Sequence, residues 1–320
     1  MDRRGETRRF LIALAGAAIA CAPAIAAGDP PLHAARWLPA ERQAHALSHR
    51  PRECLQPVRD AQRARRIAIG RAAFRTPLLL GGQAARAGLS CDSCHRNGRG
   101  NADFAFPGLS GAPGTADVTS SLMSSHRGDR IANPVAIPDL AAPPTRLKIS
   151  RKHDDPALAA FVRGLIVEEF DGPEPSALTL EAIAEYVRAL TPLACSGGEE
   201  RIALSGYLDD ARAAVLAARY AFDARDPAAA RLMLGSARTA LGFIDERYAA
   251  PDLARDRQSV RESDLELAAI QQAIDAGRDD VPVRIAAWLA RLPRWSETLR
   301  RDEAQSLFDA ERLRAALSPD

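Results

Sequence analysis

Apolar residues recur at helical spacing through most of the second half of the chain and only in patches of the first. Residues 180–190 place Ile183, Tyr186, Val187 and Leu190 on one face, with Thr179 as cap and Pro192 beyond, which predicts a helix. Residues 156–169 carry Leu158, Phe161, Val162, Leu165 and Ile166 as a stripe. Asp155 precedes them as a cap, Pro156 suits a first helical position, and Asp171-Gly172-Pro173 ends the run. Upstream, residues 58–74 group Ile67, Gly70, Ala73 and Phe74 before Pro77 stops the pattern. From 202 onward the periodicity is nearly continuous: 202–222, 227 to about 248 behind Asp226-Pro227, a third run from Pro251 to Gly277, then 281–292 and 296–317. Short turns between long helices imply antiparallel neighbours in a bundle. Two stretches lack the pattern. Residues 27–57 are proline-rich and read as an extended lead-in with one short helix over 40–48, and residues 81 to about 150 are rich in Gly, Pro, Ser and Asn.

The fold class that follows is all-α, and the composition agrees. The 320 residues are 47% apolar and 26% charged, with only 5% aromatic and abundant Ala, as in a soluble, helix-rich protein. The first 26 residues read as an export signal: Arg3, Arg4, Arg8 and Arg9, the apolar run Phe10 to Ala20, and the cleavage pattern Ala24-Ile25-Ala26. That run is shorter than the ~18 residues needed to span a bilayer, so the expectation is a periplasmic protein with no membrane span after cleavage. Cys21 opens a lipoprotein alternative, although Ala18-Ile19-Ala20 lacks the usual Leu. Arginines elsewhere are interleaved with Asp and Glu along helices, a solvated pattern that gives no reason to expect nucleic acid as a partner. The domains expected are the signal peptide 1–26, the lead-in 27–57, a unit over 58–195, and a helical domain over 199–320 beyond the boundary Cys195-Ser196-Gly197-Gly198. That last domain carries no convincing catalytic cluster, and homo-oligomerisation through its helices is one use for it.

Candidate chemistry concentrates in Cys91-Asp92-Ser93-Cys94-His95, the C-x-x-C-H pattern of c-type haem attachment. The two thiols would form thioethers to one covalent haem c, and His95 would bind the iron as proximal ligand. A zinc site would need a second ligand pair, which the chain lacks. A redox dithiol normally opens a helix after a strand, whereas this motif follows Gly81-Gly82 and Gly88 in a loop. Of the five Cys, Cys54 and Cys195 remain once the signal and the haem motif are assigned. Export permits a disulfide between them, and spacing alone leaves the pairing open. Haem is attached to an unfolded exported chain, so the general secretory route fits better than the faint twin-arginine likeness of Arg8-Arg9-Phe10-Leu11.

The run from Gly70 to Leu190 resembles a class I type cytochrome c domain. It is similar, more narrowly, to one haem domain of the diheme cytochrome c peroxidase and MauG-like family. The likeness rests on the N-terminal helix with Gly70 and Phe74, the stretch from Leu89 through Cys91, Cys94 and His95 to Gly98, and the closing helix with Tyr186. It implies that the first and last helices cross beside the haem at the small residue and the aromatic. Two departures matter. That family's peroxidases carry two C-x-x-C-H motifs where this chain has one, and its electron-transfer haem takes a Met from just before the closing helix, where this chain has none.

The sixth iron position stays open at this level. Met123, in the loop that should wrap the haem, is one candidate, and His126 is the alternative; His153, His33, His45 and His49 are further histidines within conceivable reach. Met233 falls on an apolar helix face and reads as core. Arg127 and Arg130 are candidate partners for haem propionates. Met ligation would suit an electron carrier, raising the potential and closing the iron. The function expected is therefore electron transfer between periplasmic redox proteins by a monohaem c-type cytochrome. An open iron would instead suit a peroxidase-like haem enzyme.

Overall fold

A computed structural model describes residues 32–120, 122–126, 131–143, 148–153, 155–195 and 197–318. The export signal with Cys21, and the two arginines Arg127 and Arg130, lie outside the described residues.

Helices carry the architecture: α1 Ala40–Ser48, α2 Ala61–Phe74, α3 Gly82–Arg86, α4 Cys91–Cys94, α5 Ala157–Gly164, α6 Ala177–Ala189, α7 Leu204–Asp223, α8 Pro227–Arg247, α9 Ala254–Asp275, α10 Val281–Asp302 and α11 Ala310–Leu317. Strand is confined to two antiparallel ribbons among the described residues. β1 His49–Pro51 pairs with β4 Glu199–Arg201, and β2 Thr115–Ala116 pairs with β3 Val135–Ala136. The first ribbon ties the lead-in to the start of the C-terminal helices, and the Cys54–Cys195 disulfide, with Cα atoms 5.1 Å apart, clamps the same two segments.

Local chemistry sets the helix ends. Asp60 Oδ1 accepts from the amides of Gln62 and Arg63, so α2 begins there. The closing helix starts earlier than its periodicity predicts. Ser176, not Thr179, caps α6 by accepting from the Thr179 amide at 3.2 Å, and Thr179 lies inside the first turn. The predicted 156–169 helix is α-helical only to Gly164, and its last turn, Leu165–Glu169, widens to a π-turn.

The chain beyond 199 forms a four-helix bundle. α7 packs on α8 and α10, and α9 packs on the same two helices. Trp288 is fully buried inside it, its indole N–H donating to the Ser263 carbonyl at 3.2 Å. The predicted break between 292 and 296 does not occur, for α10 runs through Pro293 to Asp302. Pro293 itself is exposed, while Trp288, Leu292, Ser296 and Leu299 hold both sides of it in the core.

The bundle is not a tethered appendage. α2 packs on α6 along one side and on α7 and α8 along the other, and one apolar cluster runs from Cys54 to Phe308 through both halves. At the far end α11 packs on α1, closing the lead-in against the C-terminus.

Candidate functional site

The crossing of α2 and α6 forms the floor beside the C-x-x-C-H motif. A Cβ on Gly70 would stand 1.9 Å from the Ala182 carbonyl oxygen, so only glycine permits this approach. One turn on, the Phe74 ring lies 5.2 Å from that of Tyr186 and 6.4 Å from that of His95. The two helices thus meet at the small residue and the aromatic that the resemblance implied.

Cys91–Cys94 is a single helical turn. Ser93 Oγ accepts from the Ser90 amide at 3.0 Å to start it, and the His95 amide donates to the Cys91 carbonyl at 2.8 Å to close it. Cys91, Cys94 and His95 stand at i, i+3 and i+4, so the turn presents them together. The chain then reverses through Asn97 at φ 52° and Gly98 at φ 71°. Asn97 is buried and satisfied: its amide group donates to the Pro51 carbonyl and accepts from Arg75, both at 2.7 Å, and Asp92 holds its backbone N–H. A Cβ at Gly98 would meet Leu190 at 2.4 Å, which locks the turn to the end of α6.

The orientation of His95 is fixed by one contact. Its Nδ1 lies 3.0 Å from the Pro138 carbonyl oxygen. A carbonyl only accepts, so Nδ1 carries the proton and Nε2 keeps its lone pair. Pro138 is in turn anchored by its neighbour Asp139, which pairs with Arg99 at 2.7 Å and accepts from the Ala141 amide. An imidazole held this way through its second nitrogen is the usual support for a metal-ligating histidine. Burial lowers its pKa, against the pull of Pro138, and favours the neutral ligand form.

Cys91 and Cys94 are free thiols. Burial, with the charge of Asp92 added at Cys91, pushes both up to about 12. A redox dithiol needs the reverse, a lowered pKa that supplies thiolate.

The candidates for the sixth position separate. Met123 is 2% exposed, in the same buried cluster as Phe104, Leu109 and Ile166, and the next residue binds its loop back to the π-turn through Ser124 Oγ and the Glu168 carbonyl. The His126 ring is 60% exposed and pairs with Asp171 at 2.9 Å. His153 pairs with Glu185, His45 with Glu199, His49 with the Ser48 hydroxyl, and His33 with the Ala87 carbonyl. Met233 is core in the bundle, as its helix face predicts.

Sequence reasoning missed the polar lattice behind the site. Glu53 of the lead-in binds Arg71 and Arg75 of α2 and the hydroxyl of Tyr186 in α6, at 2.8 to 3.1 Å. Asp210 of α7 pairs with the same two arginines. The spacing of Arg71 and Arg75 put them on one face of α2, but their acids come from segments far apart in the chain.

No group of three or more His, Cys, Asp or Glu able to hold a bare metal ion occurs among the described residues, and no helix among them is long and apolar enough to cross a membrane. Comparison with protein-family models, curated proteins and solved structures returned no match.

Proposed function

We propose that this chain is an exported monohaem c-type cytochrome that passes electrons between periplasmic redox proteins. The observation that carries the reading is His95, held by Pro138 with Nε2 free, on the same turn as two unpaired thiols. The donor set fits a covalent haem c. Cys91 and Cys94 would bear the thioethers, His95 would supply the proximal nitrogen, and Met123, a buried thioether in the loop after the motif, would be the candidate sixth ligand. Bound there, the group would supply one-electron exchange between Fe(III) and Fe(II).

The protein's part is positioning and exclusion of water. Pro138 and the Arg99–Asp139 pair keep the His95 ring from turning. Phe74, Tyr186 and Leu190 set apolar surface beside the motif, which disfavours added charge and helps set the potential. A carrier needs no substrate pocket at the iron; His126 is exposed and paired with Asp171, whereas the Met123 thioether is buried.

The deciding experiment is expression with export and haem maturation, then acid–acetone extraction of the denatured protein. Haem should stay with the polypeptide, adding one haem mass to residues 27–320. Cys91→Ala or Cys94→Ala should weaken attachment, and the double variant should abolish it. Haem that extracts completely from the wild-type chain would sink the reading.

A further inference from the structure

Behind the haem motif lies a cavity of about 200 Å³, lined by Ser90, Asp92, Ser93 and Arg96 but by neither thiol nor by His95. Its other walls come from the lead-in, α2, α7 and α8. The volume would hold about six or seven waters, or one small organic molecule. Much of the lining is apolar: Trp37, Phe104 and Phe243 face it, with alanines between them.

Five arginines reach this space, and they fall into two groups. Arg50, Arg71 and Arg75 are neutralised by Glu200, Glu53 and Asp210. Arg96 and Arg247 are not. The Arg96 guanidinium makes no hydrogen bond or ion pair among the described residues. Arg247 is buried, donates to the carbonyls of Leu47 and Leu307 and stacks on Phe308 at 4.8 Å, with no carboxylate at ion-pair distance among the described residues. The nearest acid in sequence, Glu246, accepts instead from the His33 amide at 3.1 Å. Burial lowers the pKa of Arg247 and repulsion from Arg96 lowers it further, while Glu246 pulls it up. Tyr207 lines the same space, within electrostatic reach of both guanidiniums.

Asp92 and Glu246 also line the space, but neither bonds Arg96, whose guanidinium keeps its donors free for an entering anion. A guanidinium pairs with a carboxylate through two parallel N–H···O bonds, which suits that class. The aromatic walls would gain nothing from a bare inorganic anion, whereas an apolar body would cover them. We propose that this cavity binds a small carboxylate with an apolar body, its head between Arg96, Arg247 and the Tyr207 hydroxyl and its body against Trp37 and Phe243. The assignment does not depend on the haem reading, since no haem-attaching residue lines the space.

Calorimetric titration of the mature holoprotein with benzoate, beside inorganic phosphate, tests it. Benzoate should bind one to one and raise the melting temperature, and phosphate should bind more weakly. Arg96→Gln should weaken benzoate binding by about tenfold or more, the scale of one charged hydrogen-bond pair, without lowering the melting temperature of the free protein. Ala213→Leu narrows the cavity from α7 while leaving both arginines, and should produce the same loss. Absence of benzoate binding at millimolar concentration, a dissociation constant unmoved by both variants, or phosphate binding as tightly as benzoate would each overturn the proposal.

Discussion

A thioether buried in the loop after the C-x-x-C-H motif has two ways to contribute, and they leave different marks. As packing alone, Met123 truncated to alanine would cost about 2 to 5 kcal/mol of stability, like other core methionines. As an iron ligand it would also stabilise Fe(II) and close the iron to small ligands. Met123→Ala should therefore abolish the red charge-transfer band of the ferric spectrum, lower the reduction potential and open a site for cyanide. His126 lies three residues on, but to replace Met123 it must give up Asp171. The double variant Met123→Ala with His126→Ala removes that route and is the cleaner measurement. A spectrum and potential unmoved by both variants would make Met123 a packing residue and shift the weight to a peroxidase-like enzyme.

The helix pair α2 and α6 is the element on which the site depends, and its contact is backbone against backbone. With the Ala182 carbonyl 1.9 Å from a Cβ at Gly70, even alanine must push the helices apart. Phe74 rides on one helix and Tyr186 on the other, so separating them disturbs the floor beneath His95. Gly70→Ala should cost about 3 kcal/mol or more, read as a lower urea midpoint, and should reduce the yield of haem-bearing protein. Gly164 in α5 supplies the control. A Cβ there meets nothing within 4 Å, so Gly164→Ala should change stability by less than about 1 kcal/mol, in the stabilising direction. An equal loss from both substitutions would mean that the crossing is not what glycine serves at position 70.

At the scale of the whole molecule, the two halves are joined by charge as well as by apolar contact. Burial by itself would raise the pKa of Glu53, but Arg75, Arg71 and the Tyr186 hydroxyl hold it at about 2 against an ordinary 4.5. Asp210 is held low by the same arginines against the same burial. A depressed carboxylate contributes its stability above its unfolded pKa and loses it as pH falls through the folded value. The contribution of this pair should thus be steady from pH 7 to 5 and fall from about 4.5 toward 2, weakening the urea midpoint there, with Glu53 alone accounting for roughly 3 kcal/mol. Glu53→Gln should flatten that acid limb, and an unchanged limb in the variant would assign the acid sensitivity elsewhere. The Cys54–Cys195 bridge acts on the same joint from outside. Its 141-residue loop would restrict the unfolded chain by about 5 kcal/mol on a chain-entropy model.

What the sequence determined by itself was whatever depends on neighbours a few residues apart. The spacing of Cys91, Cys94 and His95 placed them on one turn, the stripes of 58–74 and 227–248 marked helices, and the short helix over 40–48 could be read between Pro39 and Pro51. Gly70 and Tyr186 stood out as contact residues through the likeness to a class I type cytochrome c domain, which implies that the first and last helices cross at a small residue and an aromatic. The tertiary structure decided the rest, where partners come from distant segments. Thr179 looked like a cap until Ser176 proved to be in place ahead of it, and Pro293 looked like a break until burial on its other faces held the helix together. The Cys54–Cys195 pairing, the burial of Met123 against the exposure of His126, and the joining of Glu53 and Asp210 through Arg71 and Arg75 carry no local signal. Periodicity reports which face of an element is buried; only the packed chain determines what it is buried against.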